Sequence, residues 1–315
     1  MEAGNGVCGV GVAPDCKIGG IRILDGPITD KLEAQSVLYK NDYIDIYSAS
    51  WGPKDNGETM EAPGKYTAKA LKVAAEKGRG GKGNIFVWAS GNGGSRGDDC
   101  GADGYVGSIY TISIGSINEN GESTYFMEQC PSIMAVVFSG GMHDRHSGRY
   151  GRVKTISTDI DGGCINNFQG TSAAAPLATG CVALLLQANP DLTWRDVQHI
   201  IVHSARIPNP EETAGWEING AGLHINDKFG FGVLDCSKMV QLGMRWTNVA
   251  KQRKCETPSE TPKTKIPANG AVKAKLKTNA CRDMPENRTD VLEHTRIAIS
   301  INIPHRGDLV LKVGS

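Results

Sequence analysis

Gly170-Thr171-Ser172-Ala173-Ala174-Ala175-Pro176 is the stretch of this sequence richest in chemistry. It opens a nearly all-apolar run, Ser172 to Ala188, which predicts a helix buried all round. A serine at a helix start meets oriented N–H groups and the positive end of the dipole. Those groups favour the negative charge that develops in acyl transfer. The small residues let a substrate backbone approach and let the helix pack deeply. A second stretch, Ala89-Ser90-Gly91-Asn92-Gly93-Gly94, follows an apolar run that reads as a buried strand. An Asn held there can donate its amide to an oxyanion, a contribution of about 2.7–4 kcal/mol. Taken singly, Ser172 reads as an N-cap and Asn92 as an Asn-Gly turn. The full heptad is what favours a nucleophile.

The elements around these motifs alternate. Ile44 to Ser50, Asn84 to Ala89 and Tyr110 to Ile114 read as strands, and Tyr66 to Lys77 as a helix ending before Gly78. Thr193 is placed to cap a further helix beginning at Trp194. Strand–helix alternation implies an α/β fold with a mainly parallel sheet and helices on both faces. Composition changes near Lys251. Residues 255 to 270, rich in Pro, Thr and Lys, read as a linker or surface loop. Beyond it, Arg296 to Ile303 alternates with period two, and Leu309 to Val313 reads as its hairpin partner. This predicts the start of a β domain that stops at Ser315.

With 315 residues there is room for one large domain and part of a second. The 34 basic residues balance 34 acidic ones, which gives no support to nucleic-acid binding or a polybasic membrane anchor. No apolar run approaches the roughly 20 residues of a membrane span, and Met1 to Asn5 does not read as a signal peptide. Nine cysteines without a CxxC pair argue against structural zinc and leave scattered disulfides or buried thiols. Asn287-Arg288-Thr289 is a glycosylation sequon, a hint of a secretory compartment.

Together the two motifs resemble the subtilisin superfamily, and more closely its kexin/furin-like proprotein convertases. Ser48-Ala49-Ser50-Trp51-Gly52-Pro53, Phe86 to Gly94 and Leu192 to His199 carry the same resemblance, and it covers essentially the whole chain. Ile114-Gly115-Ser116, Ala135 to Gly141 and the triple Ala after Ser172 are most similar to the type 7 branch. The resemblance implies a three-layer α/β/α peptidase domain over 1–249, without its N-terminal part, and a partial all-β P domain over 250–315. It implies Ser172 as nucleophile and Asn92 as oxyanion donor, in a serine endopeptidase cutting precursor proteins after Arg-Xaa-Lys/Arg-Arg. Asp55 and Asp103 would line the pocket for the arginine at the cut, since carboxylates bind cationic side chains strongly. Glu33 and Tyr105, with Glu61, would hold the arginine three residues earlier. Ser50, Trp51 and Gly52 would pair with the extended substrate as an added strand.

The same resemblance implies Ca²⁺ held by Asp55, Asp98 and Glu128, hard oxygen ligands suited to that ion. A second calcium site would use Asn5 with the carbonyls of Val7 and Gly9. Its implied disulfides are Cys8–Cys164, Cys100–Cys130 and Cys255–Cys281, with Cys16, Cys181 and Cys236 left as buried thiols. The expected setting is the secretory pathway, the trans-Golgi network or outside the cell, with a prodomain as a further partner. The activating His belongs in a His-Gly-Thr motif just before Gly6-Val7-Cys8-Gly9, and its orienting Asp upstream of that. None of the seven histidines, 143, 146, 199, 203, 224, 294 and 305, sits in such a motif. The chain is therefore read as a truncated convertase, inactive alone. The alternative is a non-catalytic isoform that binds basic peptides or precursors. His199 and His203, four apart, invite a metal reading but fit a plain helix surface. Arg306-Gly307-Asp308 reads as structural rather than adhesive.

Overall fold

A computed structural model describes residues 1–140, 155–208, 214–258, 265–267, 270–275, 277–289, 291–303 and 309–312. The chain divides into two compact units, Met1–Asn248 and Val249–Ser315.

In the first unit, β1 (Ile46–Ala49), β2 (Ile85–Ala89), β3 (Thr111–Ile117) and β4 (Ile133–Phe138) form one parallel sheet in that order. Every residue of β2 and β3 is buried, as expected for strands covered on both faces. The period-two alternation of β2 sorts the layers. Ile85, Val87 and Ala89 face a core shared with α3 (Thr171–Ala188), α4 (Trp194–Ser204) and α5 (Cys236–Gly243). Phe86 instead packs with α1 (Asp30–Val37) and α2 (Lys65–Lys77). Two short hairpins, β5 (Thr155–Thr158) with β6 (Cys164–Phe168) and β7 (Glu217–Ile218) with β8 (His224–Ile225), complete the unit.

α3 is buried along one stripe, Ala174, Ala175, Ala178, Val182 and Leu185, while Pro176 and Gln187 are exposed. The expectation of a helix buried all round is thus corrected. The run is apolar enough to cross a membrane by composition, and half of it is buried in the core. α4 starts as its sequence predicts. Asp196 N–H donates to Thr193 Oγ1 (3.2 Å) and Thr193 N–H to Asp196 Oδ2 (2.8 Å), a reciprocal capping box. Thr193→Ala should cost about 1 kcal/mol, read as a lower urea midpoint at an unchanged slope.

Two expectations fail. In the second unit no strand forms among the described residues, and 296–300 are exposed. A strand needs a partner for its backbone and a layer over its apolar face. The described residues supply neither to Arg296–Ile303. Residues 304–308 and 313–315 lie outside the described residues, and with them Arg306-Gly307-Asp308 and the end of the expected hairpin. Secondly, Cys181 and Cys236 are not thiols. α3 packs on α5, bringing their Cα atoms to 5.1 Å, and they are bonded. Cys16 is free but exposed rather than buried. The three expected pairs form, with Cα separations of 5.3, 5.4 and 5.7 Å.

Candidate active site

The site is built where β2 ends and α3 begins. Asn92 lies just beyond β2, and its Oδ1 accepts from the Thr171 N–H (2.9 Å) and Thr171 Oγ1 (3.0 Å). With the amide oxygen occupied, Nδ2 is the group left to donate. The approach is close because residue 170 is glycine. Its φ is +117°, and a Cβ there would stand 3.3 Å from Asn92 Oδ1. The next residue after this anchor is Ser172, in the first turn of α3. Its backbone N–H is among the helix donors without an i−4 acceptor inside the helix.

Pro176 explains the rest of the heptad. It stands four residues after Ser172 and has no N–H, so the Ser172 carbonyl lacks its helical donor. Ser50, just past β1, fills the gap: its Oγ donates to that carbonyl at 3.2 Å. Behind the turn, Ser139 Oγ lies 2.9 Å from Ser116 Oγ and 3.2 Å from the Gly170 carbonyl. Both hydroxyls are buried. A proton order running Ser116 to Ser139 to Gly170 satisfies all three groups. The turn that carries Ser172 is thus tied to β1, β2, β3 and β4. Sequence reading missed Thr171, Pro176, Ser116 and Ser139 as supports. Only Pro176 carried a readable signal, its i+4 spacing.

Four carboxylates surround the Asn92 loop. Asp55 Oδ2 accepts from the Asn92 N–H (2.9 Å) and Glu128 Oε1 from the Gly93 N–H (2.9 Å). Asp98 Oδ2 accepts from the Gly57 N–H (2.9 Å), and Asp103 Oδ1 from the Tyr105 and Val106 N–H groups (2.7 and 3.2 Å). Burial pushes the Glu128 carboxyl up to about 8; the Gly93 N–H opposes this, and Asp98, Asp55 and Asp103 reinforce it. Burial likewise pushes Asp103 up to about 6, against its two N–H donors and with Asp55 and Asp98. This oxygen-only, mutually repelling set suits Ca²⁺ in kind. Among the described residues no three acidic, His or Cys groups close into a tight ligand shell. The backbone donors occupy several of these oxygens. Asn5 Oδ1 accepts from the Val7 N–H (3.0 Å), in an exposed segment with Gly9.

The remaining predicted residues gather beside Asp103. Tyr105 OH donates to Glu33 Oε2 (2.8 Å), which Thr67 Oγ1 also reaches (3.2 Å). Burial, the bond to Glu33, and the charges of Glu33, Glu61 and Asp103 all push the Tyr105 hydroxyl strongly upward. Glu61 is exposed and bridges Asp103 through backbone pairing. Gly52 lies so close that a Cβ would meet Asp103 Oδ2 at 3.0 Å. Trp51 meets Trp88 and Tyr105 edge-on, and those two stack on each other, at centroid distances of 4.9–5.2 Å. The Trp51 carbonyl already accepts from Trp88 Nε1 (2.7 Å).

No described histidine bonds to Ser172. His199 and His203 of α4 stack 6.4 Å apart beside Trp246, which follows α5. His143, His146 and His305 lie outside the described residues.

The sequence model of the subtilase family (Peptidase_S8) matches residues 1–232. The chain belongs to the subtilase family. Among curated proteins, this subtilase is 48% identical to "PC3-like endoprotease variant B" of Hydra vulgaris, over 98% of this chain and 42% of that protein. It is 44% identical to "Proprotein convertase subtilisin/kexin type 6" of Rattus norvegicus, over 98% of this chain and 32% of the relative. The chain therefore spans less than half the length of these relatives. Among solved structures, the Aeromonas sobria serine protease in its chaperone complex matches with a TM-score of 0.67 at 16% identity, over 76% of this chain and 50% of that one. That likeness concerns the fold alone, an α/β subtilisin-like core.

Proposed function

We propose that this subtilase belongs to a calcium-dependent serine endopeptidase of the convertase type, acting in the trans-Golgi network or after secretion. It cuts precursor proteins after Arg-Xaa-Lys/Arg-Arg, and a prodomain is a further partner. The observation that supports the reading is the pair of hydrogen bonds from the Thr171 N–H and Oγ1 to Asn92 Oδ1, which leaves the amide Nδ2 as the group free to donate next to the start of α3.

Ser172 Oγ bonds to the carbonyl carbon of the arginine at the cut, and the carbonyl π pair moves onto its oxygen. The oxyanion is met by Asn92 Nδ2 and the Ser172 N–H. Asp103 and Asp55 receive the guanidinium, and Glu33, Glu61 and Tyr105 the earlier arginine. Ser50 and Gly52 offer backbone to the extended substrate. Asp55, Asp98 and Glu128 would hold Ca²⁺, whose charge offsets their repulsion. A second calcium beside Asn5, Val7 and Gly9 belongs to the same reading. The proton of Ser172 needs a histidine, and among the described residues none bonds to it. That favours one alternative, a non-catalytic form that binds basic peptides.

The two readings separate on an Arg-Xaa-Lys-Arg reporter peptide given to the full-length protein. Calcium-dependent cleavage supports the first, and binding without cleavage the second. In the active protein, Asp103→Asn should lower kcat/KM for arginine at the cut about 10- to 100-fold, the loss of one charge-assisted bond. Asn keeps an acceptor for Tyr105 and Val106. An unchanged arginine preference would remove Asp103 from the pocket.

The calcium site has its own test. A carboxyl whose folded pKa lies above its unfolded one binds a proton that the unfolded chain releases. The Glu128 contribution to calcium-free stability should thus be fully present below the unfolded value of 4.5 and be lost as pH rises through about 8. Thermal unfolding in chelator should show this slope, and calcium should flatten it. A calcium response that persists unchanged in Glu128→Gln would separate these carboxylates from the ion.

A further inference from the structure

Asn287-Arg288-Thr289 is the only Asn-Xaa-Ser/Thr triplet in the chain, and the peptidase reading leaves it unused. It lies in the second unit, on a series of tight turns that begins at Asn279. The Arg282 N–H donates to the Asn279 carbonyl (3.2 Å), the Met284 N–H to Cys281 (2.9 Å) and the Asn287 N–H to Met284 (2.9 Å). The Thr289 N–H returns to the Ala280 carbonyl at 3.1 Å. The triplet is thereby pinned against Cys281, whose partner is Cys255.

Within the turn, Thr289 Oγ1 donates to the Asn287 carbonyl at 3.2 Å. The hydroxyl therefore folds back toward the asparagine two residues before it. The Asn287 side-chain amide makes no hydrogen bond among the described residues, while Arg288 between them is exposed. Close by, Met284, Val291 and Leu292 are exposed to 45%, 75% and 69%. Apolar side chains this bare benefit from a bulky hydrophilic cover. Four cystines across the two units call for an oxidising compartment.

We propose that Asn287 carries an N-linked glycan, placed on the turn beside the Cys255–Cys281 bridge. The donor is an oligosaccharide linked to a polyprenyl diphosphate. A bond forms between Asn287 Nδ2 and C1 of the first sugar, and the C1–O bond to the diphosphate breaks. The diphosphate leaves with the electron pair, one amide proton passes to base, and nothing is oxidised or reduced. The proposal rests on the secretory part of the reading above and not on catalysis.

The test is a peptide map of the native full-length protein, treated with peptide N-glycosidase in heavy-oxygen water and digested without reduction. Full support is the conversion of Asn287 to heavy-oxygen-labelled Asp in treated samples only. Occupancy should vanish in Asn287→Gln and Thr289→Ala and persist in Thr289→Ser, which keeps the hydroxyl. Unmodified Asn287 in a map where Cys255 and Cys281 are joined would overturn the glycan and leave the secretory reading standing. Unmodified Asn287 with both cysteines reduced would overturn the two together.

Discussion

Ser172→Ala should abolish cleavage by the full-length protein while leaving its fold and peptide binding in place. The hydroxyl is the only part of Ser172 that the substitution removes. The bonds that hold the turn use the Ser172 carbonyl, the Gly170 carbonyl and Thr171, and all three survive in the variant. In subtilisin, a relative of this chain, loss of the nucleophile lowers kcat by about two million-fold. A loss on that scale, with unchanged KM or peptide affinity, is the expected result here. Residual cleavage close to the parent rate would mean that another group attacks the carbonyl. Unaltered thermal unfolding serves as the control that the turn has not collapsed.

The second large effect concerns Asn92. Its two ends do different work: Oδ1 holds Thr171, and Nδ2 is left for the oxyanion. Asn92→Asp keeps the first and removes the second. It should reduce kcat by at least about 10²–10³-fold with little change in KM, because the donor acts mainly on developing charge. Asn92→Ala removes both ends and should add a stability loss, as the buried Thr171 N–H and hydroxyl lose an acceptor. If Asn92→Asp cleaved normally and Asn92→Ala alone were impaired, the residue would be a support and not an oxyanion donor.

How much of this could be read beforehand depended on how local the signal was. Ser172 and Asn92 sit in short strings whose spacing is itself the signal. β2 is a continuous apolar run, β3 spaces its isoleucines with Thr, Ser and Gly, and Thr193 announces the start of α4. β4 is also a continuous apolar run, Ile133 to Phe138, yet short apolar runs do not tell strand from helix by periodicity. α1 escaped because its eight residues, DKLEAQSV, bury little beyond Glu33 and Val37. Its one cue is Thr29, which caps the Leu32 N–H.

Other features were illegible for a different reason. The Cys181–Cys236 pair depends on α3 meeting α5, a contact that no local pattern encodes. The same holds for Ser116 and Ser139, whose hydroxyls matter only because two neighbouring strands end beneath Gly170. Arg296–Ile303 erred in the opposite direction. Its alternation is clear, but alternation states a preference that only a pairing partner can realise.

The proline four residues after Ser172 has one more consequence. A helix usually closes its own ladder, and its first turn then moves with the rest of the rod. Here one rung is missing by covalent necessity, and a hydroxyl from the end of β1 stands in for it. The backbone of Ser172 is therefore tied to the end of a strand as well as to its own helix. In mechanical terms, the heptad is braced from outside: the rung that Pro176 removes along the helix is replaced by one running across to the end of β1.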